Sequence, residues 1–91
     1  MYYILFYKTA EDYLERRKAF REQHLSYINE YNKRGEVILA GALANPPDQA
    51  IIIFKCDSSS IPENFAMNDP YVLNGVVVEW KLREWAVVIG G

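Results

Sequence analysis

The 91-residue chain has one cysteine, one histidine and no long apolar run. Cys56 has no partner for an internal disulfide, and one cysteine with one histidine provides too few soft ligands for a metal site. No run approaches the ~20 apolar residues of a membrane-spanning helix, and no charged-then-apolar leader precedes the strand-like residues that start at Tyr2. We therefore expect a cytoplasmic protein that binds no metal, uses no cofactor and does not enter a membrane.

Basic residues are also few, since 10 Lys and Arg stand against 12 Asp and Glu, for a net charge of -2. A sequence-independent grip on nucleic acid needs clustered basic side chains that neutralise phosphates. An RNA-recognition domain would require a basic third strand with a glycine, and the run IIIF at 51–54 has neither the charge nor the glycine. No nucleic-acid partner is expected.

Apolar residues, by contrast, are abundant: they make up 51% of the chain, and seven residues are tyrosine. A chain of this length forms one domain, which we place at residues 1–91. Such a large apolar share in a small domain favours a surface that is buried against another molecule.

Apolar periodicity and turn residues divide the chain into six elements. In order, they are strand Tyr2–Tyr7, a long helix that ends before Gly35, strands Val37–Leu43 and Ala50–Cys56, a short helix to about Asn68, and strand Val76–Ile89. Thr9 or Asp12 is expected to cap the first helix, and Ser60 with Glu63 to form a capping box at the second. The last strand is about twice the typical length, which predicts a bulge or bend within it.

The order βαββαβ predicts an α+β, ferredoxin-like domain, in which a four-stranded antiparallel sheet carries two helices on one face. The first and third strands are apolar on both of their faces, although the helices can cover only one face of the sheet. The uncovered face therefore needs a partner. A homodimer formed through this sheet face is the simplest way to bury it.

The first helix places two ionisable residues, Arg17 and His24, on the face that should be buried. On a 3.6-residue period they fall within an apolar stripe that consists of Tyr13, Phe20, Tyr27, Ile28 and Tyr31. Burying an ionisable group without a partner costs on the order of a few kcal/mol. Either His24 has a dedicated partner, or this face of the helix is not a plain core face.

Several of these residues recur in one order that resembles the YciI-like (YCII-related) family. The matching residues are Arg17 and the run REQHL at 21–25 on the first helix, Ala40-Gly41 on the second strand, and the run DPYV at 69–72 with Gly75 before the last strand. The match spans nearly the whole chain. It departs from the family at one point, because many members have a proline directly after the glycine of the second strand, where this chain has Ala42.

The resemblance implies a dimeric α+β barrel of ferredoxin-like subunits, similar to that of muconolactone isomerases. It also implies an active site that contains a histidine and an aspartate, which are His24 and Asp69 in this chain. A similar protein is a dehydrochlorinase of a chlorinated hydroxyhydroquinone. The resemblance does not specify the substrate of this protein.

A His24–Asp69 pair would suit proton transfer, because a neutral imidazole exchanges protons near neutral pH and a carboxylate on its other nitrogen fixes the tautomer. No serine or cysteine lies in a recognisable nucleophile motif, which favours isomerisation or elimination next to a carbonyl or phenol over acyl transfer. Arg17 and Arg21 are candidates for holding an anionic substrate. Tyr71 is a candidate for lining an aromatic pocket.

Each of these residues also has a structural interpretation. His24 would be a hydrogen-bonded histidine between helix and sheet, Asp69 before Pro70 an ordinary helix N-cap, and Arg17 and Arg21 side chains with packed stems and solvated heads. Three hypotheses follow. The first is a lyase- or isomerase-type homodimeric enzyme, the second is a non-catalytic ligand-binding or sensing dimer that uses the same cleft, and the third is an accessory interaction module.

Overall fold

The computed structural model describes residues 1–91 and confirms the order βαββαβ. The elements are β1 (Tyr2–Thr9), α1 (Tyr13–Arg16), α2 (Arg21–Lys33), β2 (Val37–Ala42), β3 (Gln49–Lys55), α3 (Ser60–Asn68), α4 (Pro70–Leu73) and β4 (Val77–Trp85). The strands form one antiparallel sheet in the order β2-β3-β1-β4. This is the ferredoxin-like α+β fold that the sequence predicts. None of the helices has both the length and the hydrophobicity needed to span a bilayer.

The core lies between the helices and one face of the sheet. Side chains alternate between the two faces of a strand, and in β1 the buried ones are Tyr3, Leu5 and Tyr7. Phe54 and Ile52 of β3 lie opposite Tyr3 and Leu5 and are buried with them. The central strand β1 therefore presents its odd-numbered side chains to the helices.

The other face of the sheet is apolar and carries no helix. Ile4 and Phe6 of β1 lie opposite Ile53 and Ile51 of β3, and all four side chains are only partly buried. Leu39 of β2 also lies opposite Ile53 and is 65% exposed. We refer to the face formed by these five residues as the open sheet face. Its apolar character agrees with the expectation that one face of the sheet is left uncovered.

The first helix is interrupted, although the sequence predicts it to be continuous. Phe20 leaves helical geometry, with φ of -121° and ψ of 1°, and separates α2 from the preceding turn. The predicted caps are also wrong. The Asp12 carboxylate makes no cap hydrogen bond and instead accepts one from Arg16 at 3.0 Å, and the Thr9 hydroxyl donates to the carbonyl of Pro47.

The two remaining predictions about helix ends differ in outcome. The capping box at Ser60 and Glu63 is wrong, because the Ser60 amide donates to the Ser58 hydroxyl and α3 starts without a side-chain cap. Gly35 does follow α2 as predicted, with a φ of 79°. Glycine adopts this left-handed geometry without a steric penalty, which is why it commonly ends helices.

The last strand is shorter than the predicted Val76–Ile89. It ends at Trp85, which pairs with Tyr2, the first residue of β1. The pairing with β1 ends there, and β4 has no other neighbour in the sheet. Residues 86–91 consequently lie outside the sheet.

The predicted irregularity in the last strand is a β-bulge. Lys8 pairs with Glu79, and the next residue, Thr9, pairs with Val77, so Val78 is the extra residue. The bulge changes which side chains face the core. Val77 is buried, whereas Val78 is exposed.

Candidate active site

Asp69 lies at the junction of α3 and α4, and its side chain is completely buried. Its backbone is extended, as expected for a residue that precedes a proline, here Pro70. Its Oδ1 accepts a hydrogen bond from the Tyr71 amide at 2.9 Å, which makes it the N-cap of α4. The N-cap interpretation is therefore confirmed.

The Asp69 carboxylate also accepts from two distant parts of the chain. His24 Nδ1 lies 2.8 Å from Oδ1, and the Tyr7 hydroxyl donates to Oδ2 at 2.7 Å. With the Tyr71 amide, the carboxylate has partners from β1, α2 and α4. A buried charge is tolerated only when it is paired and hydrogen-bonded in this way. The fold thus brings together His24 and Asp69, which are 45 residues apart in the chain.

His24 is held at one ring nitrogen and open at the other. Since a carboxylate accepts hydrogen bonds, Nδ1 is the donor in this contact, and in the neutral form of the ring the lone pair then lies on Nε2. Nε2 makes no hydrogen bond within the chain, yet the only buried side-chain nitrogen or oxygen without a partner is the Tyr71 hydroxyl. Nε2 is therefore accessible from outside the protein. The ring is 13% exposed.

Two tyrosine rings fix the plane of the imidazole. The Tyr71 ring stacks on the His24 ring with centroids 3.8 Å apart and planes 6° apart. Tyr13 in turn meets Tyr71 edge-on, with centroids 6.3 Å apart. The edge-on geometry of the tyrosine pair is one that aromatic rings favour, and the parallel contact covers one face of the imidazole. The imidazole is thus positioned by a hydrogen bond in its plane and by stacking on its face.

Tyr7 belongs to the site through its contact with Asp69, although the sequence did not predict it as a site residue. Burial raises the pKa of its hydroxyl, and the charge of Asp69 and the hydrogen bond to it raise the pKa further, so the group stays protonated and donates. β1 contains three tyrosines, and alternation places Tyr3 and Tyr7 on the same face. Nothing local distinguishes these two, because the acceptor comes from residue 69.

Replacing Tyr7 with phenylalanine is expected to lower the free energy of unfolding by about 1–3 kcal/mol, because the buried carboxylate loses one of its donors. The quantity is measured by urea denaturation at neutral pH. Tyr3→Phe is the matched control, since Tyr3 is also buried in β1 but its hydroxyl meets only the sulfur of Met1, at 3.8 Å. Equal effects of the two substitutions would contradict a supporting role for Tyr7.

Arg17 lies in the turn between α1 and α2, and Arg21 and His24 lie at the start of α2. Arg17 is half-buried, and its guanidinium carbon lies 5.2 Å from the centroid of the Tyr13 ring. Arg21 is exposed. Neither residue takes part in any of the ion pairs of the chain. Their positive charges are therefore not balanced by a nearby carboxylate.

A cavity of about 370 Å³ opens beside the imidazole. The polar aromatic and ionisable side chains that line it are Tyr7, Tyr13, Arg17, Arg21, His24 and Tyr71. Its lining contains no aspartate or glutamate, and β2 contributes Gly41 and Ala42 to it. The volume lies in the range of small-molecule sites. Four of the five residues proposed from the sequence thus line this cavity, and the fifth, Asp69, contacts two of them, His24 and Tyr71.

A second concavity, of about 820 Å³, lies beyond Tyr7 and Tyr13, which line both. Its charged lining is mainly acidic and includes Glu11, Asp48 and Glu79. It lacks a histidine and the two arginines. No group of three or more His, Cys, Asp and Glu side chains is arranged to hold a metal ion. The histidine and the two arginines that the sequence proposes for a site therefore lie at the smaller cavity.

The model of the YCII-related domain matches residues 1–86. The chain belongs to the YCII-related family. A Haemophilus influenzae protein of uncharacterised function is 30% identical over 90 residues, which cover 87% of this chain and 90% of that protein. The resemblance identified from the sequence is confirmed.

Solved structures show that the fold of this YCII-related protein is shared more widely. The 5-chloro-2-hydroxyhydroquinone dehydrochlorinase TftG of Burkholderia phenoliruptrix, in complex with 2,5-dihydroxybenzoquinone, superposes with a TM-score of 0.78 at 17% identity over 93% of both chains. A NIPSNAP family protein of Agrobacterium tumefaciens superposes with a TM-score of 0.55 at 14% identity, over 90% of this chain and 87% of that one. At these identities the likeness concerns the fold alone.

Proposed function

We propose that this protein is a small lyase- or isomerase-type enzyme that moves a proton to or from a carbon atom of a small anionic or aromatic substrate. The observation that carries the proposal is the 2.8 Å contact between His24 Nδ1 and a fully buried Asp69 carboxylate, with Nε2 open to a cavity. Here His24 is the general base or acid, and Asp69 orients it.

The roles follow from the hydrogen bonds. Asp69 holds the proton on Nδ1, so Nε2 presents its lone pair to a C–H bond that is acidified by an adjacent carbonyl or phenol. When Nε2 takes that proton, the buried carboxylate stabilises the resulting imidazolium. The same nitrogen then returns the proton to another position, or keeps it while a leaving group departs with its electron pair. The first course is an isomerisation and the second an elimination.

The lining of the cavity supports the proposed class of substrate. Arg17 and Arg21 provide positive charge without a competing carboxylate, and Tyr13 and Tyr71 provide aromatic surface. A planar ring that bears ionised oxygens suits both features. TftG, which shares the fold, is named for elimination from a chlorinated hydroxyhydroquinone, and this chemistry is of the proposed kind.

The proposal is tested by deuterium incorporation in D₂O, which detects proton transfer to carbon even when the overall reaction is unknown. A panel of hydroxyhydroquinones, phenols and small keto acids is incubated with the protein and followed by ¹H NMR, with chloride release measured for chlorinated members. In at least one compound, we expect deuterium exchange at a carbon that is adjacent to a carbonyl or phenol carbon. If compounds bind but none exchanges, the protein is the non-catalytic ligand-binding dimer instead.

We also propose that two copies pair through the open sheet face. Five apolar side chains lie there without a helix above them, and Leu39 is 65% exposed in the single chain. Contiguous exposed apolar surface of this kind marks interaction sites. A second copy of the chain presents the same surface and so matches it in chemistry.

Sedimentation velocity at micromolar concentration is expected to report at least a dimer. Leu39→Glu should produce monomers, because a carboxylate would be buried in the apolar interface. Leu73→Glu is the matched control, since Leu73 is 66% exposed but lies in α4, on the helical side of the sheet. A wild-type monomer, or equal behaviour of both variants, would contradict the pairing.

A further inference from the structure

The Tyr71 hydroxyl is the one buried side-chain polar atom in the chain that has no hydrogen-bond partner. The side chain is 97% buried, since its exposed fraction is 3%. A hydroxyl that is removed from water and left unpaired reduces stability, and native proteins rarely retain one without a use for it. Tyr71, which carries this unpaired hydroxyl, lines the same cavity as His24.

The surroundings of Tyr71 hold this hydroxyl in one place. The Tyr71 amide donates to Asp69 at 2.9 Å, the ring stacks on the imidazole at 3.8 Å, and Tyr13 closes off its edge. Few rotations remain for a side chain restrained in this way. The hydroxyl is thus a preorganised donor, fixed relative to His24 by the residue that orients both of them.

Positive charge accompanies this donor. Burial raises the pKa of the Tyr71 hydroxyl and Tyr13 adds to the rise, whereas Arg21 and Arg17 act in the opposite direction. Arg21 lines the same cavity as Tyr71, and its guanidinium group acts to lower the pKa of the hydroxyl both by its charge and by a hydrogen-bond-type contact, although the geometry falls short of a formed hydrogen bond. Arg21 is also exposed and free of any ion pair, so its head group can move to meet a ligand.

We propose that the Tyr71 hydroxyl and Arg21 together bind one oxyanion of the substrate, a phenolate or enolate oxygen on the carbon adjacent to the one at which His24 transfers the proton. Because the hydroxyl is shielded from solvent in the unbound chain, binding requires the exposed Arg21 head group to move. The substrate oxygen then accepts the hydrogen bond that Tyr71 lacks, and the guanidinium group balances its charge. This inference rests on the proposed function and narrows the substrate to planar compounds whose oxygen is ionised, or becomes so during proton transfer. Neutral rings of the same size should bind more weakly.

The test uses 2,5-dihydroxybenzoquinone as the anionic probe, because its hydroxyl groups are vinylogous acids, and hydroquinone as the neutral probe. Binding to the full-length protein is measured by calorimetry. We expect wild type to bind the anionic probe at least about tenfold more tightly than the neutral one. Tyr71→Phe should lose about tenfold or more in affinity for the anion and little for hydroquinone.

Stability distinguishes this role from a structural one. Because the hydroxyl is unpaired, Tyr71→Phe should keep or raise the Tm, while binding of the anion falls. Tyr31→Phe removes a hydroxyl that is outside the cavity lining and should change neither property. Arg21→Gln, an exposed substitution that should fold normally, is expected to lower affinity for the anion and to weaken its dependence on salt.

Wild-type affinity for the anion in Tyr71→Phe, or no preference of wild type for the anion, would overturn the inference. Neither result bears on His24, whose role is decided by deuterium exchange. Conversely, if Tyr71→Phe weakens binding of the anion while no compound undergoes deuterium exchange, that result would support the oxyanion site and contradict the proposed enzymatic function.

Discussion

His24→Ala is expected to slow proton transfer to carbon by about 10²- to 10⁴-fold, which is the usual contribution of a general acid or base. The rate is that of deuterium incorporation into the substrate identified in the screen. The affinity for 2,5-dihydroxybenzoquinone should change much less, since Arg21 and Tyr71 remain. Added imidazole is expected to restore part of the rate, because the substitution leaves a gap beside Tyr71 of the size of the missing ring.

Gln23→Ala is the matched control for this experiment. Gln23 is the neighbouring residue of α2, is exposed, and lies outside the cavity lining. Its substitution should leave the exchange rate within about twofold of wild type, as expected for a surface change. An unchanged rate in His24→Ala would contradict the catalytic role, and preserved ligand binding would then favour the sensing alternative.

Asp69→Ala is expected to have the largest effect on stability, lowering the free energy of unfolding by roughly 3–5 kcal/mol. The substitution leaves the Tyr7 hydroxyl, the Tyr71 amide and the His24 Nδ1–H without an acceptor, and it removes the N-cap of α4. Each unsatisfied buried donor costs about 1–3 kcal/mol. A domain of this size has a total stability of about 5–15 kcal/mol, so the loss is a large part of the whole.

The loss is measured by urea denaturation, with Asp57→Ala as the control. Asp57 is exposed in the turn after β3 and its side chain makes no hydrogen bond, so its substitution should change the stability by less than about 0.5 kcal/mol. A loss below about 1 kcal/mol in Asp69→Ala would show that the carboxylate does not hold the network together. Asp69→Asn distinguishes the effect of the charge from that of the packing. The asparagine amide has nearly the same volume as the carboxylate and keeps one hydrogen-bond acceptor, but it carries no charge.

The two experiments are complementary because the proposed site places one carboxylate in two roles. The Asp69 side chain caps α4 through the Tyr71 amide and orients His24 through the same oxygen, Oδ1. Its other oxygen receives the Tyr7 hydroxyl. Structural and chemical demands thus converge on a residue that local sequence marks only as the position before a proline.

Much of the fold was predictable because it depends on neighbours in the chain. Alternation in β1 and β3, the helical period of residues 21–33 and the glycine that follows them identify the elements, and their order selects the sheet topology. The bulge in the last strand was also indicated by its length. Apart from the break at Phe20 in the first helix, the failures lie at element ends, where other groups compete for the capping side chains, as when the Pro47 carbonyl accepts from the Thr9 hydroxyl.

The site was predictable in part. The position of His24 on a buried helical face called for a partner, and the family pattern indicated Asp69 as that partner. The sequence did not reveal Tyr7, nor that the Tyr71 hydroxyl would be left unpaired, because both depend on how β1 and α4 are placed relative to each other. Hydrogen-bond satisfaction is a property of the assembled core.

By itself, the sequence determined the order of the elements, the apolar surplus on the sheet and the position of the one histidine on the first helix, since all three are set by residue type and local period. Only the tertiary structure decided which nitrogen of His24 is open, which tyrosine supports Asp69 and which lacks a partner. The physical reason is that a hydrogen bond requires two groups to lie within about 3 Å. For residues 45 or 62 positions apart, only the folded chain sets that distance.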